Sequence, residues 1–346
     1  MAGPPGCGNP WTNSTSCSCA AASLASSRRQ FEETGADVIC LTGPTAAGKT
    51  ALAVELAQRR PLEIVSVDSA QIYRDMDIGT GKPDTRTRSL APHRLIDIRD
   101  PSESYSAANF RDDALVEMRD IHARGKTPLL VGGTMLYFQV LRRGLAAMPA
   151  ANPEVRREIE EQAAREGWEA IHRRLAEVDP EAAARIHPND PQRLQRALEI
   201  FLVTGEKISS FHRERKNRPN RSTSFKLHFL AIHPSERSEI HKCIDARFKR
   251  MLADGLVAEV ERLYRREDLH PGLPSMKSVG YRQIWQYLDG RMAYPEMVEK
   301  SVAATRQLAK RQLTWLRGWP EVRNFTGNSE RNPDNVLKFV DSLAIW

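Results

Sequence analysis

The chain carries, at residues 43–50, the sequence Gly43-Pro44-Thr45-Ala46-Ala47-Gly48-Lys49-Thr50, a complete G-x-x-x-x-G-K-[ST] phosphate-binding loop. The apolar residues 38–41 before it are typical of a buried strand, and residues 51–59 after it are typical of a helix. In this context, glycines let successive backbone N–H groups converge on an anion, and the helix N-terminus adds its positive dipole. Lys49 supplies a mobile charge, and the Thr50 hydroxyl can ligate Mg²⁺. The loop predicts a phosphate site without specifying which phosphate ester it holds.

The composition is that of a globular protein with a basic balance. The 346 residues are enough for one large domain with an insertion, or for two domains. The net charge of +7 favours a polyanionic partner. The sequence contains no run of about 18 apolar residues, which is the length that a membrane-spanning helix requires. The five cysteines follow neither a disulfide framework nor a zinc-ligand spacing, so we expect a reducing, cytoplasmic setting.

Residues 1–35 differ in amino-acid composition from the rest of the chain. They are rich in Ser, Ala, Gly and Pro and carry no acidic residue until Glu32, which predicts a disordered extension. A secretory signal would need a basic start and a longer apolar core. A transit peptide is a weaker alternative, suggested by Arg28 and Arg29 and the scarcity of acids.

Strand and helix patterns alternate after the phosphate loop. Strands are predicted at residues 63–68, 93–98, 128–131 and 227–232, and Ser106 is a candidate N-cap for the helix that follows it. This alternation predicts an α/β fold: a P-loop-containing parallel sheet core flanked by helices, with an all-helical insertion domain. We divide the chain into four parts. The extension is 1–35, and the core consists of 36–150 and 206–325. The insertion is 151–205, and a peripheral C-terminal tail is 326–346.

The insertion is charged, helical and free of strand signals. Three of its helices are expected to begin at Asn152-Pro153, Asp179-Pro180 and Asp190-Pro191, because each pair places a capping side chain before a proline at the first helical position. Residues 212–222 are basic and polar, and we expect a loop there.

Two strand ends suggest where chemistry occurs. Asp68 ends the second strand and should lie beside the phosphate loop, since parallel strands present their carboxyl ends at one edge. It is either a general base beside a bound diphosphate, or a cap or metal–water ligand. The strand at 128–131 runs into Gly132-Gly133-Thr134 with no Walker-B acid, which weakens the ATPase interpretation. The two glycines permit close approach to the backbone, although they also suit a plain tight turn.

A basic helix is predicted at residues 302–317. Its cations Arg306, Lys310 and Arg317 share one face, and a solvated charged face is the usual explanation of such a pattern. Further basic pairs, Arg193 with Arg196 and Lys277 with Arg282, favour a nucleic-acid surface built from several elements. Three aromatic residues could stack on bases, although at helical spacing they more often lie in the core: Tyr281, Trp285 and Trp315.

Six motifs in order resemble the tRNA dimethylallyltransferases, also called tRNA isopentenyltransferases, of bacterial type. Beside the phosphate loop they are Asp68-Ser69-Ala70-Gln71-Ile72-Tyr73-Arg74, Gly132-Gly133-Thr134-Met135-Leu136-Tyr137, Pro191-Gln192-Arg193-Leu194-Gln195-Arg196-Ala197-Leu198-Glu199, Val279-Gly280-Tyr281-Arg282-Gln283 and Thr305-Arg306-Gln307-Leu308-Ala309-Lys310-Arg311-Gln312. They span about residues 37–320. The phosphate loop alone is common to many kinases, but the ordered set is specific.

The resemblance implies transfer of a dimethylallyl group from dimethylallyl diphosphate to N6 of adenosine 37, beside the anticodon of tRNAs that read codons beginning with U. It implies Mg²⁺ as cofactor, with Thr50 as a ligand, directly or through water. It places the isoprenoid diphosphate on residues 43–50 and assigns catalysis to Asp68, Thr134 and Lys49. The tRNA anticodon stem-loop is assigned to Asp68, Ser69, Ala70, Gln71, Thr134, Arg156, Gln192, Arg193, Leu194, Gln195, Arg196, Lys277, Ser278, Val279, Gly280, Tyr281, Arg282, Lys310, Arg311, Gln312, Leu313, Thr314, Trp315, Leu316 and Arg317.

The chain departs from the family pattern at two positions. Ala47 stands where the family often has Ser, and Ser278 stands where a cysteine is common. We expect a monomer with no membrane association. Two other functions remain open: a small-molecule P-loop kinase, which would hydrolyse ATP and not need the basic helices, and a non-catalytic RNA-binding ATPase module. Whether the loop also binds ATP is open too.

Overall fold

The computed structural model of the protein describes Met1 and residues 35–146, 148–217, 224–327 and 332–345. The expected disordered extension therefore lies almost entirely outside the described residues, as does the end of the expected loop at 212–222. Among the described residues, no helix combines the length and the apolarity needed to cross a membrane.

A six-stranded, wholly parallel sheet forms the centre of the fold, and it confirms the predicted α/β class. Its strands in chain order are β1 (Ala36–Thr42), β2 (Leu62–Val67), β3 (His93–Arg94), β4 (Thr127–Gly132), β5 (Phe225–His233) and β6 (Arg323–Thr326). Their order across the sheet is β3-β2-β4-β1-β5-β6. β1 pairs with β4 through Thr42 opposite Gly132, and with β5 through Thr42 opposite Ala231. The phosphate loop therefore leaves the sheet from an interior strand.

The described helices connect the strands of the sheet, build the insertion and form the C-terminal part of the fold. They are α1 (Lys49–Arg59), α2 (Thr85–Leu90), α3 (Ala107–Ala123), α4 (Met135–Arg143), α5 (Pro153–Glu166), α6 (Trp168–Val178), α7 (Pro180–Ala183), α8 (Pro191–Thr204), α9 (Ile208–Asn217), α10 (Arg237–Ala253), α11 (Leu256–Tyr264), α12 (Tyr281–Leu288), α13 (Tyr294–Arg317) and α14 (Pro333–Ser342). Ser106 caps α3 in a reciprocal capping box with Asn109, as predicted.

Two hydrophobic layers cover the faces of the sheet, because successive side chains of a strand point to opposite sides. In β1, Val38 and Cys40 belong to one layer, with α3, α4 and α12, whereas Ile39 and Leu41 belong to the other, with α1 and α14. All four are fully buried. The sequence of β1 is accordingly a continuous apolar run, as is usual for an interior parallel strand.

Two edge strands differ from the prediction. The strand expected at 93–98 stops at Arg94, since Leu95 and Asp97 have φ values of 58° and 60°, in the left-handed region. β6 was not predicted at all. It is short, its first two residues are exposed, and only Phe325 is buried, so its sequence lacks the apolar run of an interior strand.

The insertion has a hydrophobic core of its own. Asn152, Asp179 and Asp190 cap α5, α7 and α8 through their side chains, each with proline at the start of the helix, which confirms the three predicted starts. The core includes Leu175 of α6 and extends to Ile208 of α9, beyond the boundary drawn at residue 205. The expected loop at 212–222 is wrong at its start, because α9 continues to Asn217.

The C-terminal segment packs more closely than a peripheral tail. Val336, Leu337 and Val340 of α14 are buried in the layer that covers α1. Two ion pairs add to this contact: Arg59 pairs with Asp334, and Arg60 with Asp341. The folded core therefore extends past residue 325.

Candidate active site

The phosphate loop leaves β1 and enters α1 through a sharply folded backbone. Ala46 has φ 64° and Gly48 has φ 87°, and Gly48 is the N-cap of α1. Gly43 lies against β5, where an added Cβ would fall 2.3 Å from the carbonyl oxygen of Ile232. Glycine is thus required at position 43 by space and at position 48 by conformation. The turn leads directly into the N-terminus of α1, and the N-terminus of a helix favours anions through its dipole and its unpaired backbone N–H groups.

Lys49 lies within this cradle. Its Nζ donates hydrogen bonds to the carbonyl oxygens of Gly43 and Pro44, at 3.0 and 2.8 Å. Burial lowers the pKa of Lys49 to about 8, while nearby Asp68 acts to raise it and Arg247 acts to lower it. The ammonium group is therefore poorly solvated, and an anion in the cradle would favour its charged form.

Asp68 follows the last residue of β2 and is half-buried. Its Oδ1 accepts hydrogen bonds from the backbone N–H groups of Ala70 and Gln71, at 2.8 and 3.2 Å. Within the described part of the chain, its Oδ2 has no hydrogen-bond donor. The turn therefore fixes the carboxylate through one oxygen and leaves the other free to accept a proton or a hydrogen bond from a ligand.

Thr134 lies across from this turn, at the end of β4. Its Oγ1 accepts a hydrogen bond from the backbone N–H of Ser69 at 3.1 Å, and its own N–H donates to the carbonyl of Val67 at 3.3 Å. These bonds join the ends of β2 and β4, so that Asp68 and Thr134 lie close together.

The glycine pair after β4 accommodates two close neighbours. A Cβ on Gly132 would fall 2.0 Å from the carbonyl oxygen of Val67, and one on Gly133 would fall 2.5 Å from Nε2 of Gln312. That side-chain amide donates to the carbonyl of Gly133 at 2.9 Å and accepts from the backbone N–H of Thr45 at 2.9 Å. Gln312 is 7% exposed. Its side chain therefore holds the phosphate loop to the β4 turn.

Arg247 of α10 is a further cation of the site, and it belongs to none of the sequence motifs. Its guanidinium lies against Gly81, where a Cβ would fall 1.9 Å from Nη2, and it donates a long hydrogen bond of 3.5 Å to the carbonyl of Thr80. Burial lowers the pKa of Arg247, while Asp68 acts to raise it. No carboxylate of the described residues forms an ion pair with it. Its charge is therefore available to an anion in the same site.

The loop that receives Arg247 is held by a buried carboxylate. Glu259, which is 2% exposed, accepts hydrogen bonds from the backbone N–H groups of Asp77, Ile78 and Gly79, at 2.8 to 3.1 Å. The hydroxyl of Tyr281 donates to the same carboxylate at 2.5 Å. Tyr281 is fully buried, and Trp285 is 5% exposed, so the side chains of both are core residues instead of base-stacking surfaces.

In the insertion, two of the three predicted arginines converge on one buried acid, whereas Arg193 pairs with Asp190 at 3.5 Å. Glu199, which is fully buried, accepts hydrogen bonds from Arg156 at 2.9 and 3.1 Å and from Arg196 at 2.7 Å. Burial acts to raise the pKa of Glu199, but these guanidinium bonds dominate and lower it. Gln192 and Arg193 are exposed, whereas Leu194 is buried and Gln195 donates to Glu160 at 2.8 Å. Through these bonds to Glu199, Arg156 and Arg196 stabilise the fold of the insertion.

The two C-terminal basic segments contain both accessible and buried side chains. Leu316 is buried, and Val279, Ser278 and Leu313 are partly so. Arg306 pairs with Asp245 at 2.6 Å and does not belong to the free basic face. Trp315 is 37% exposed and meets Trp319 edge to face, with ring centroids 6.3 Å apart. The accessible members of the predicted surface are Lys277, Arg282, Lys310, Arg311, Thr314, Trp315 and Arg317.

The structure thus brings Lys49, Asp68 and Thr134 to one edge of the sheet and adds Arg247 and the bridging side chain of Gln312. The insertion residues belong to a separate hydrophobic unit. Local sequence could not have revealed Arg247, because it lies among charged residues of α10 and its role depends on Gly81. Gln312 carried a motif signal, but one that pointed to tRNA.

Among the described residues, no group of three His, Cys, Asp or Glu side chains could hold a metal ion. The loop itself supplies an oxygen donor, the Thr50 hydroxyl in the first turn of α1. A single hydroxyl fits Mg²⁺, which usually takes few protein ligands and completes its shell with substrate phosphate oxygens and water.

The comparisons with known proteins agree with this arrangement. Residues 71–319 match the family model described as IPP transferase. Among solved structures, the tRNA isopentenylpyrophosphate transferase of Bacillus halodurans is 35% identical, with a TM-score of 0.64, 88% of this chain covered and 96% of that one. The tRNA Δ(2)-isopentenylpyrophosphate transferase of Staphylococcus epidermidis is 31% identical, with a TM-score of 0.63 and coverage of 89% and 99%.

A eukaryotic dimethylallyltransferase solved while acting on tRNA is 27% identical, with a TM-score of 0.73, 90% of this chain covered and 79% of that one. The family model spans more than half of this chain, and the first two structures exceed 30% identity over most of it. The chain therefore belongs to the IPP transferase family, whose structurally similar members are prenyltransferases acting on tRNA.

Proposed function

We propose that this chain transfers the dimethylallyl group of dimethylallyl diphosphate to N6 of adenosine 37 in tRNAs that read codons beginning with U. The observation that carries the proposal is the juxtaposition of a phosphate-loop cradle with Asp68. Lys49 and Arg247 both interact electrostatically with that carboxylate. Two cations beside one fixed acid suit a reaction in which a diphosphate leaves while a proton is removed.

In the proposed reaction, a bond forms between N6 of the adenine and C1 of the dimethylallyl group, and the bond from C1 to the diphosphate oxygen breaks. The diphosphate leaves with the electron pair. The loop N–H groups, Lys49 and Arg247 would stabilise the charge that develops on it. C1 gains cationic character as this bond lengthens, which helps a weakly nucleophilic amine to attack.

Asp68 would accept the N6 proton. Its Oδ1 is fixed by the N–H groups of Ala70 and Gln71, whereas its Oδ2 is free of donors among the described residues. Thr134, held against Ser69 at 3.1 Å, supports the same turn and offers a hydroxyl at the mouth of the site. Fixing the carboxylate in this way reduces the reorganisation that proton transfer would require.

The target adenine must leave the anticodon loop to reach Asp68, as bases do for other enzymes that modify them. We propose that the anticodon stem-loop contacts the accessible residues of 277–282 and 310–317 and the exposed residues Gln192 and Arg193 of the insertion. The lysine and arginine side chains among them fit phosphate contacts, which position an RNA without reading its sequence. Trp315 is the exposed aromatic side chain among these segments and suits stacking on a base.

We also propose that Mg²⁺ accompanies the diphosphate, with Thr50 as the protein ligand. The Thr50 hydroxyl is half-buried in the first turn of α1, and no hydrogen bond engages it among the described residues. When bound, the ion would neutralise charge on the leaving diphosphate. We further propose a monomer that works in the cytoplasm, where its tRNA substrate is found.

One incubation tests the function. The full chain is mixed with dimethylallyl diphosphate, Mg²⁺ and unmodified tRNA, and the tRNA is digested and searched by mass spectrometry for N6-isopentenyladenosine. A tRNA with guanosine at position 37 serves as the control substrate and should give no product. Absence of product together with ATP turnover would support a kinase instead, and nucleotide-dependent RNA binding without product would support a non-catalytic module.

A further inference from the structure

A cleft lies at the carboxyl ends of β5 and β6, on the same edge of the sheet as the phosphate loop. It encloses about 510 Å³ and lies between these strand ends, the start of α10 and the last turns of α13. This volume is in the range of ordinary ligand sites. The family resemblance assigned the lining residues of 310–317 to tRNA, but it assigned no role to the strand ends or to the start of α10 that complete the cleft.

The lining of the cleft carries positive charge that no acidic residue of the lining neutralises. Arg237, Lys310 and Arg317 line it, and none of its lining residues is acidic. Within the described ranges, none of these three side chains forms an ion pair; the one side-chain hydrogen bond among them joins Arg317 to the Thr314 hydroxyl at 3.2 Å. Three exposed cations that share a concave surface repel one another, and an anion relieves that repulsion.

A second depression of the surface, between α1 and α14, provides a contrast. It also contains arginines, but Arg59 pairs with Asp334 and Arg60 with Asp341. The charges there are satisfied within the protein. Unpaired positive charge is therefore a property of the cleft beside β5 and does not follow from the chain's basic balance alone.

The remaining lining shows what kind of anion suits the cleft. Ile240 and Leu316 are buried and Leu313 is half-buried, so that apolar side chains lie among the cations. A free inorganic ion gains nothing from such surface. A sugar–phosphate backbone suits it, because its phosphate oxygens face the cations while the sugar carbons cover the apolar side chains.

The position of the cleft in the sheet connects it to the proposed reaction. Across the sheet, β2, which precedes Asp68, is followed by β4, β1 and β5. Three inter-strand steps of about 4.8 Å place the end of β5 roughly 14 Å from the end of β2. An RNA loop whose adenine reaches Asp68 can therefore place a neighbouring part of its backbone over the cleft.

We infer that this cleft binds a backbone phosphodiester of the substrate tRNA and that Arg237 is one of its contacts. The inference rests on the proposed function and extends it, since Arg237 lies outside every segment that the sequence assigned to tRNA. Lys310 and Arg317 supply the opposite side from α13.

The test is the charge reversal Arg237→Glu in the full chain, with unmodified tRNA as the probe. We expect the Kd for tRNA at low salt to rise about tenfold, and the slope of log Kd against log salt to fall by about one. The KM for dimethylallyl diphosphate should not change. Arg237→Gln, which removes the charge without reversing it, should give a smaller change in the same direction.

The matched control is Arg250→Glu, which lies on the same helix and is also exposed. It lies about 20 Å further along α10, at 1.5 Å per residue. An equal loss of affinity in both variants would show a general effect of net charge and overturn the inference. An unchanged Kd for Arg237→Glu would also overturn it, as would a raised KM for dimethylallyl diphosphate with an unchanged Kd. Product formation by the unmodified chain tests the proposed function separately, so the two failures are distinguishable.

Discussion

The side-chain oxygen of Gln312 accepts a hydrogen bond from the backbone N–H of Thr45, in the phosphate loop, at 2.9 Å. Its amide nitrogen donates at the same distance to the carbonyl of Gly133, after β4. Gln312 of α13 thus joins two turns that are distant from it in sequence. Gln312 therefore holds the phosphate loop against the turn after β4, although the motif that contains it suggested a contact with tRNA.

Replacing Gln312 should therefore weaken binding of the allylic diphosphate. Gln312→Glu keeps an acceptor for Thr45 but loses the donor to Gly133 and adds negative charge beside the cradle, so we expect the KM for dimethylallyl diphosphate to rise at least tenfold. Steady-state kinetics with each substrate varied in turn gives the answer. Gln307→Glu, exposed on the same helix, is the control. A raised KM for tRNA alone would assign Gln312 to the RNA.

The lowered pKa of Lys49, about 8, predicts a pH dependence. The charged ammonium form predominates below this pH and is lost above it, and the diphosphate binds the charged form better. We expect the KM for dimethylallyl diphosphate to be flat below about pH 8 and to rise above it, approaching tenfold per pH unit. Lys49→Arg keeps its charge at high pH and should remove this rise. A wild-type profile that is flat to pH 10 would contradict the assignment.

Asp68→Asn separates proton removal from binding. The amide oxygen can still accept from Ala70 and Gln71, but the side chain no longer takes a proton. We expect kcat to fall about 10²-fold or more and the Kd for tRNA to change less than twofold. Rapid-quench product formation and filter binding measure the two quantities. Asp75→Asn is the matched control, since Asp75 is exposed and its left-handed backbone suits asparagine. Retention of most activity would exclude Asp68 as the base.

Tyr281→Phe tests whether this residue of the family motif acts in the core. The substitution removes the hydroxyl that donates to buried Glu259, and we expect the free energy of unfolding to fall by about 1–2 kcal/mol. The folded variant should bind tRNA as tightly as the parent. Urea unfolding and filter binding are the measurements, with Tyr294→Phe, on an exposed tyrosine, as the control. An unchanged free energy of unfolding together with weaker tRNA binding would show that Tyr281 contacts the RNA.

The sequence predicted what local patterns encode. The phosphate loop, the interior strands and the three proline-started helices of the insertion carry their signals within a few residues. It could not predict the partners of Gln312 or Arg247, which depend on α13 and α10 packing over loops far along the chain. It also missed β6, because a short, partly exposed edge strand lacks the apolar run that marks an interior one.

The insertion leaves the fold after α4 and returns at β5, and these flanking strands β4 and β5 are the two hydrogen-bonded neighbours of β1. Since it has its own hydrophobic core and none of its described residues joins the sheet, the hydrogen-bond ladder of the sheet is complete without it. The insertion can therefore be regarded as a structural module, because removing it would leave the pairing of β1 with β4 and with β5 unbroken.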